Sequence, residues 1–366
     1  MDRRLSENFN WPLFGVTAAL IVIGIVNIYS AVYFWGEGGS QALFWSQLVW
    51  TLVGIVLMAL VTLVDYRLFY RFAVPTYIVV CALLLLALLL GRAVRGTQGW
   101  LHIGPFALQP TEFAKLAYIL VAARFFADNP NPDGYGLTDL WKPGLLMLFP
   151  FALIVLQGDM GSSLFFILIF MSMSLFAKVK TKTIIVCALI GIVAAGAVYS
   201  FGLKDYQRNR IMTFMHPETD IRGSGYHLMQ SKIAVGSGML FGKGYLKGNI
   251  NKLRYLPERH TDFIFPVFAE EWGFVGCLVV LGLYTALLMM GVEIGAHSRD
   301  RFGAFTAIGV VSLLFWQMTI NLGGVLGLIP LTGVTLPLMS YGGSSMIAIL
   351  ASLGLLFSIH VRRFMF

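Results

Sequence analysis

An acidic residue at the edge of an apolar block is the strongest candidate for chemistry in this sequence. Asp262 ends the motif LPERHTD of residues 256–262, and Phe263 opens a long apolar segment. We expect this position at a membrane–water boundary, where partial desolvation raises the pKa of a carboxyl and makes it a better proton acceptor. The alternative is structural, because Thr261 or Asp262 is a plausible N-cap for the helix that follows.

A pair of ionisable residues lies at the start of another apolar block. Residues 109–115 read QPTEFAK, and Pro110 suits the first position of a helix. Glu112 and Lys115 are then i, i+3 neighbours on one helix face. Ionisable groups within a span are costly and favour a functional hypothesis, such as lining a cavity. An ion pair that fastens this span to its neighbours is equally consistent with the spacing.

Two segments predict irregular backbone at membrane depth. Asp159 lies in the turn QGDMG of residues 157–161, where it either pairs with a cation or caps the next helix.

Residues 321–345 carry two prolines and six glycines in an otherwise apolar stretch. Such backbone is tolerated only where protein or a water-filled cavity covers it, and broken helices mark substrate sites in transporters. A structural kink is the alternative for this stretch.

A set of cations lies between two apolar blocks, in residues 203–262. Outside the cell and near a bilayer, these cations suit a lipid pyrophosphate or an anionic headgroup. Glycines at 236, 238, 242 and 244 surround Lys243 and would let backbone N–H groups approach a phosphate. A solvated, lipid-facing loop is the alternative for most of the set, which comprises Arg208, Arg210, Arg222, Lys232, Lys243, Lys247, Lys252 and Arg254.

The elements that must position these residues are membrane-spanning helices. Of the 366 residues, 58% are hydrophobic and 12% charged, whereas a soluble domain carries roughly 25% charged residues. Long apolar blocks predict an all-α polytopic membrane protein, a single domain over residues 1–366 with one large extracytoplasmic loop at about 203–262. About ten transmembrane helices are predicted, at about 11–34, 43–64, 73–91, 111–127, 143–157, 160–177, 183–202, 263–294, 303–326 and 340–360.

The distribution of Lys and Arg sets the orientation of these helices. With the N-terminus in the cytoplasm, the short outside loops hold only two of these cations, as the positive-inside rule requires. Both termini are therefore expected inside and the large loop outside. Within that loop we predict helices at Asp205–Met215 and Tyr226–Val235, the second with Leu228, Met229 and Ile233 on one interfacial side.

Several motifs together resemble the SEDS family (shape, elongation, division and sporulation). Residues 321–345 are similar to that family's C-terminal signature, and residues 256–265 are similar to its outer-loop motif. Residues 109–115 resemble its fourth-span motif, and residues 230–244 resemble a further loop segment. The motifs occur in the family's order along the chain. Arg259 favours the rod-shape branch of the family over the division branch.

The resemblance implies a peptidoglycan glycosyltransferase that polymerises lipid II on the outer face of the cytoplasmic (inner) membrane during cell elongation. It implies a class B penicillin-binding protein and the elongation machinery as partners, and no nucleic acid. The family's essential acid corresponds to Asp262, and further important positions correspond to Glu112, Lys115 and Asp159. Supporting or substrate-binding roles are expected for the other motif residues, which are Glu258, Arg259, His260, Thr261, Ser340, Gly342 and Gly343.

In the implied mechanism, Asp262 acts as general base on the acceptor 4-hydroxyl, and undecaprenyl pyrophosphate leaves. We expect Arg210, Lys232 and Lys243 to hold the pyrophosphate. A divalent cation, Mg²⁺ or Mn²⁺, could assist, although the sequence offers no dedicated ligand set. A lipid II flippase, a division or sporulation paralogue, and a non-catalytic scaffold for a partner synthase are the alternative interpretations.

Overall fold

The fold is that of a computed structural model of the chain. The structure describes residues 8–34, 39–94, 97–103, 106–197, 200, 212–216, 220, 223–249, 252, 256 and 258–363. The loop cations Arg208, Arg210, Arg222 and Arg254 lie outside these residues. So does most of the predicted helix Asp205–Met215, of which residues 212–215 are described and helical.

Each predicted span coincides with a helix in the described residues. The helices are α1 (Trp11–Tyr33), α2 (Gly39–Leu63), α3 (Tyr66–Leu90), α4 (Pro110–Asp128), α5 (Trp141–Leu156), α6 (Met160–Phe176), α7 (Thr181–Ala197), α8 (Ser224–Ser237), α9 (Ile264–Ala296), α10 (Arg301–Val325) and α11 (Gly343–Arg362). Among the described residues, six of them are long and apolar enough to cross a membrane, namely α1, α2, α3, α9, α10 and α11, and α5, α6 and α7 are shorter apolar helices. Their exposed side chains are largely apolar, as lipid-facing surfaces require.

The segment before α4 adds strands that the all-helical prediction did not include. The strands are β1 (Arg92–Val94), β2 (Thr97–Ile103) and β3 (Phe106–Leu108). They form an antiparallel sheet in the order β1-β2-β3, with Leu101 paired to Leu108. Gln98 N donates to Gln157 O at 3.0 Å, which fixes the sheet to the turn between α5 and α6.

The outer loop contains the predicted second helix, now α8, but not with the predicted exposed face. Leu228 is buried, whereas Met229 and Ile233 are about half exposed. The expectation that all three share one interfacial side is therefore wrong. The reason is tertiary: α8 docks on the end of α10, where Ser231 Oγ donates to Val325 O at 2.7 Å.

The stretch between α10 and α11 is irregular rather than a kinked helix. It comprises residues 326–342, and α11 begins at Gly343 rather than near 340 as predicted. Leu336, Leu338 and Met339 are each at most 2% exposed. Protein therefore covers residues 336–340, as the absence of water at membrane depth requires.

Helix α9 is broken near its start. Gly273 has φ 66° and ψ −165°, a conformation that is essentially restricted to glycine. The outer loop supplies partners at the break, because Met239 O accepts from Phe274 N at 2.8 Å and Leu240 O accepts from Val275 N at 3.1 Å. The break lies about 13 Å along the axis from the first residue of α9. The loop thus packs against α9 at the break as well as near the start of the helix.

We expect Gly273→Ala to lower the melting temperature of the purified protein. A Cβ at this position would lie 2.2 Å from Gly242 N, and the strained backbone alone costs about 1–3 kcal/mol. Gly282→Ala in the same helix is the matched control, since no described atom lies within 4 Å of a Cβ there. Thermal unfolding of both variants in one detergent measures the difference. Equal melting temperatures would contradict the structural role given to Gly273.

Candidate active site

Asp262 lies in the turn that precedes α9, and it is partly exposed. The N–H groups of Thr261 and Phe263 donate to Glu258 O at 3.1 and 3.4 Å and close this turn. Glu258 has a φ of 48°, which is rare outside glycine. The N-cap position of α9 is Phe263, without a side-chain cap hydrogen bond. The interpretation of Thr261 or Asp262 as the N-cap is therefore wrong.

Ser340, in the irregular stretch, holds this turn from one side. Its Oγ donates to Thr261 O at 2.7 Å and accepts from Leu336 N at 2.7 Å. Next to it, Tyr341 N donates to His260 O at 2.8 Å. The C-terminal signature and the outer-loop motif, which are distant in sequence, are thus joined by hydrogen bonds.

Asn321, near the end of α10, holds the same turn from the other side. Its Nδ2 donates to Asp262 O at 3.0 Å and to Val334 O at 2.6 Å. Gly333 faces the carboxylate, because a Cβ there would lie 3.5 Å from Asp262 Oδ2. The backbone of Asp262 is therefore fixed, while its carboxylate lies against a position that carries no side chain.

Asp159 is the N-cap of α6. It accepts from Ser162 N at 3.0 Å and from Ser162 Oγ at 2.7 Å, which confirms the capping interpretation. Gln109 Nε2, just before α4, donates to Asp159 Oδ2 at 3.5 Å. A Cβ on Gly161 would lie 2.5 Å from Thr332 O, so the start of α6 lies against the irregular stretch.

The start of α11 lies against two further helices. Gly342 N donates to Gln47 Oε1 of α2 at 3.1 Å. A Cβ on Gly343 would lie 2.8 Å from the indole ring of Trp50, so glycine permits the close approach. Ser344 Oγ accepts from the N–H group that precedes α4 at 3.0 Å. Gly342 and Gly343 therefore act here as packing positions.

These contacts bring the first turns of α4, α6, α9 and α11 to one end of the bundle. Helix N-termini carry a partial positive charge and unpaired N–H groups, which favour anions. Asp159 caps α6, whereas α4, α9 and α11 have no side-chain cap hydrogen bond. This end of the bundle, which we call the site end, can therefore stabilise phosphate groups near the Asp262 carboxylate.

The predicted ion pair of α4 lies inside the bundle, one turn from the site end. Lys115 Nζ lies 2.8 Å from Glu112 Oε1, and the two side chains are 2% and 9% exposed. Lys115 Nζ also lies 4.8 Å from the ring centroid of Phe165 in α6. The pair itself lies within α4, and Lys115 also contacts α6, as the structural interpretation predicted. A role in substrate binding stays a prediction.

We expect Lys115→Met to destabilise the protein by about 3–5 kcal/mol, because the Glu112 carboxylate then stays buried without its cation. The double variant Glu112→Gln/Lys115→Met removes both charges and serves as the control. Its melting temperature should lie well above that of the single variant. Equal melting temperatures for the two would show that pairing of these charges does not determine stability.

Lys243 is held by an acidic residue of α9. Its Nζ lies 2.6 Å from Glu270 Oε1 and donates to Ser237 Oγ at 2.8 Å. Glu270 is 1% exposed and also accepts from Asn249 N at 2.9 Å. Lys243 thus anchors the outer loop to α9. Its expected contact with pyrophosphate stays a prediction.

The glycines around Lys243 permit close packing on the backbone of α9. Cβ atoms on Gly238 and Gly242 would lie 2.0 Å from Ala269 O and 2.1 Å from Glu271 O. Gly242 N donates to Gly238 O at 2.8 Å, and the Gly244 N–H donates to the same Glu271 carbonyl at 3.0 Å. The expectation that Gly242 and Gly244 present N–H groups to phosphate is therefore wrong.

Lys232 is an exposed cation at the site end. Its side chain lies beside Gly327, where a Cβ would meet Lys232 Cε at 2.1 Å. Gly327 comes just after α10, whose C-terminal dipole favours a cation. Arg210, the third cation expected at the pyrophosphate, lies outside the described residues.

Arg259 and His260 support the motif from inside the protein. Arg259 is 1% exposed and His260 is 7% exposed. His260 Nε2 lies 4.0 Å from Glu258 Oε2, and its ring centroid lies 5.4 Å from that of Tyr341. These side chains therefore pack the turn that carries Asp262.

Polar side chains of α1 that the sequence analysis did not single out also support the site. Asn27 Nδ2 donates to Ile264 O at 3.0 Å, and Ser30 Oγ donates to Glu271 Oε1. Tyr245 of the outer loop donates to a carbonyl of α1, and burial, with the Glu271 carboxylate adding, raises the pKa of its phenol. Their polar character within an apolar span was the sequence feature that could have identified these α1 residues as functional.

The described residues contain no ready metal centre. Within them, no group of three or more His, Cys, Asp or Glu side chains could hold a metal ion. The expectation that a divalent cation assists stays a prediction.

Similarity to known proteins is consistent with this geometry. Residues 11–364 match the family described as cell cycle protein, FtsW/RodA/SpoVE. The chain belongs to this family. One relative, peptidoglycan glycosyltransferase MrdB of Escherichia coli (strain K12), is 38% identical over 355 residues, which cover 95% of this chain and 93% of the relative.

Solved structures of family members share the fold. One solved chain gives a TM-score of 0.82 at 32% identity, and the match covers 98% of this chain and 99% of the solved one. It comes from a study of the structural coordination of polymerization and crosslinking by a peptidoglycan synthase complex. The rod shape determining protein RodA of Thermus thermophilus gives a TM-score of 0.73 at 30% identity, with 98% of both chains covered. The expected resemblance and the multi-pass all-α membrane fold are therefore confirmed.

Proposed function

We propose that this chain, a peptidoglycan glycosyltransferase of the family, polymerises lipid II with Asp262 as general base. The observation that carries the proposal is the placement of Asp262. Ser340 and Asn321 fix the backbone around it, and the N-termini of α4, α9 and α11 lie at the same end of the bundle without side-chain caps. A proton acceptor and an anion-stabilising region thus lie together, as glycosyl transfer from a pyrophosphate requires.

The reaction is a direct displacement at the anomeric carbon of the lipid-linked strand. Asp262 takes the proton of the acceptor 4-hydroxyl as that oxygen attacks the carbon. The bond between the carbon and the pyrophosphate oxygen breaks, and undecaprenyl pyrophosphate leaves with the bonding electron pair. No covalent sugar–enzyme intermediate forms, so the configuration at the anomeric carbon inverts.

The leaving group needs its negative charge stabilised as it departs. Backbone N–H groups in the first turns of α4, α9 and α11, which have no side-chain cap, can supply this stabilisation. Lys232 adds a cation at the same end, and we retain Arg210 and Lys243 as further candidates. Lys243 would reach the pyrophosphate only by sharing its ammonium with Glu270, its partner at 2.6 Å.

The site end faces the outside of the cytoplasmic (inner) membrane in this proposal, with both termini inside. Outside the long outer loop, which is too long for the positive-inside rule to apply, the site end carries only Arg92 and Arg95, whereas the opposite end carries thirteen Lys and Arg residues, which the rule places in the cytoplasm. A similar chain occurs in a peptidoglycan synthase complex, which supports a class B penicillin-binding protein as partner. Arg259 supports a role with the elongation machinery in rod-shape maintenance.

A second function is favoured by one observation. The irregular residues 326–342 interrupt helical structure at membrane depth, as in transporters that move a substrate past broken helices. A lipid II flippase would use such a stretch. The anchored outer loop and the fixed position of Asp262 favour the enzyme. Glycan product from purified protein without an added polymerase distinguishes the two functions.

We expect Asp262→Asn to lower the rate of lipid II polymerisation at least about 100-fold, because general-base catalysis contributes about 10²–10⁴-fold. The amide keeps the size of the carboxylate but cannot accept the proton. Glycan strands from purified protein and lipid II, resolved by gel electrophoresis, give the rate.

The matched control is Asp133→Asn, an exposed acid in the loop between α4 and α5 at the other end of the bundle. It should polymerise at the wild-type rate. Melting temperatures of both variants should equal that of the wild type. Unchanged polymerisation by folded Asp262→Asn would remove Asp262 from the role of base. If the wild type and both variants all failed to polymerise lipid II, the flippase would be favoured.

A further inference from the structure

A cavity of about 420 Å³ lies at the end of the bundle opposite Asp262. It is formed by the start of α3, the end of α4 and the start of α10. Helix α10 runs from this cavity to Asn321 at the site end, a distance of about 30 Å. The cavity is therefore separate from the candidate active site. Its lining residues are Arg67, Tyr70, Ala127, Asp300, Arg301 and Phe302.

The single acidic residue that lines the cavity has its oxygens engaged by protein donors. Asp300 Oδ1 accepts from Gly303 N at 2.7 Å as the N-cap of α10. Asp300 Oδ2 accepts from the hydroxyl of Tyr66 at 2.6 Å, and Tyr66 is 2% exposed. This carboxylate is thus a structural part of the wall.

Two guanidinium groups, those of Arg67 and Arg301, line the cavity together with that one carboxylate. Arg67 Nε lies 3.9 Å from Asp300 Oδ2, beyond hydrogen-bond distance, and its side chain is 54% exposed. Arg301 Nη2 donates to the hydroxyl of Tyr135 at 3.5 Å, and its guanidinium carbon lies 5.8 Å from the ring centroid of Phe305. The lining charges, two positive and one negative, leave a net charge of +1. Arg is the side chain best suited to bind a phosphate through two parallel hydrogen bonds.

The rest of the wall is apolar and continues onto the lipid-facing surface. Ala127 and Phe302 line the cavity, and the ring of Phe302 packs edge-on against Tyr70 at 5.3 Å. On α3, Leu68 and Phe72 flank the same turn and are 47% and 49% exposed. A ligand that fits this wall combines an anionic group with an apolar one. The start of α3 and the end of α4 place the cavity at headgroup depth.

We infer that this cavity binds the phosphodiester headgroup of an anionic phospholipid from the leaflet at that end of the bundle. The phosphate lies between Arg67 and Arg301, and the acyl chains follow the apolar surface of α3. Free phosphate offers the same anionic chemistry without the apolar part. The volume lies within the range of about 300–1,000 Å³ that is usual for small-ligand sites.

The test measures the melting temperature of the full-length protein in neutral detergent against the concentration of short-chain phosphatidylglycerol. Phosphatidylcholine with the same chains and inorganic phosphate form the comparison arms. A lipid that binds the folded protein raises its melting temperature in a concentration-dependent way. We expect phosphatidylglycerol to give the largest rise. The double variant Arg67→Gln/Arg301→Gln should need at least about ten-fold more lipid for the same rise, a change of 1.4 kcal/mol.

Arg71→Gln is the matched control, because Arg71 is an exposed arginine of α3 that does not line the cavity. It retains the wild-type response if the cavity, rather than the general positive charge of this end, binds the lipid. The inference would be overturned if Arg71→Gln reduced the rise in melting temperature as much as the double variant does, or if the double variant responded to phosphatidylglycerol like the wild type. Equal rises with phosphatidylcholine and phosphatidylglycerol would also overturn it. If inorganic phosphate raised the melting temperature as much as phosphatidylglycerol, the assignment of the ligand as a lipid would be overturned.

If the double variant does not fold, Arg301→Gln alone gives the test, since Arg301 contacts Tyr135 and Phe305 rather than an acid. Native mass spectrometry then counts bound phosphatidylglycerol. One fewer tightly bound lipid than in Arg71→Gln supports the site, and an equal number contradicts it.

Discussion

Backbone that leaves helical geometry inside a bilayer must find hydrogen-bond partners within the protein, because no water is there to supply them. Residues 326–342 find these partners in α10 and in the turn before α9. Asn321 donates to Val334 O at 2.6 Å, and Gln317 Nε2 donates to Thr335 O at 3.2 Å. Asn321 also donates to the carbonyl of Asp262. The bonds that satisfy the irregular stretch therefore also place the candidate base.

The same constraint explains why so many helices begin at the site end. The irregular stretch 326–342 gives α11 a start inside the protein, next to the starts of α4 and α9. Aligned peptide dipoles then add a positive potential there. The ion pair of Glu112 and Lys115 fastens this arrangement without changing its net charge. Anionic groups and the carboxylate of the candidate base can thus share a small region.

Local patterns predicted the elements of this fold well, whereas contacts between distant segments were less predictable. Apolar blocks located every span, and the i, i+3 spacing of Glu112 and Lys115 predicted their contact. The N-cap interpretation of Asp262 failed because its turn is closed by Glu258 and held by Ser340, which lies far away in sequence. The break at Gly273 was missed because helical hydropathy continues through it, and only the partner loop satisfies its backbone.

Within the candidate site, sequence patterns identified the residue types but not their tasks. Lys243 looked like a phosphate ligand, yet it is held by the buried Glu270, which no local pattern connects to it. Gly342 and Gly343 belong to a motif, and only the structure shows that they admit Gln47 and Trp50 of α2. Such roles depend on which helices become neighbours, and the sequence of one segment does not contain that information.

The central claim is that the leaving pyrophosphate lies at the helix N-termini of the site end, beside Asp262. An experimental structure of the protein with bound undecaprenyl pyrophosphate tests it most directly. The account predicts phosphate oxygens within about 3.2 Å of backbone N–H groups in the first turns of α4, α9 or α11. It also predicts that the Asp262 carboxylate lies next to the bound pyrophosphate. A pyrophosphate bound at the opposite end, or at the site end but remote from these N–H groups and Asp262, would contradict the account.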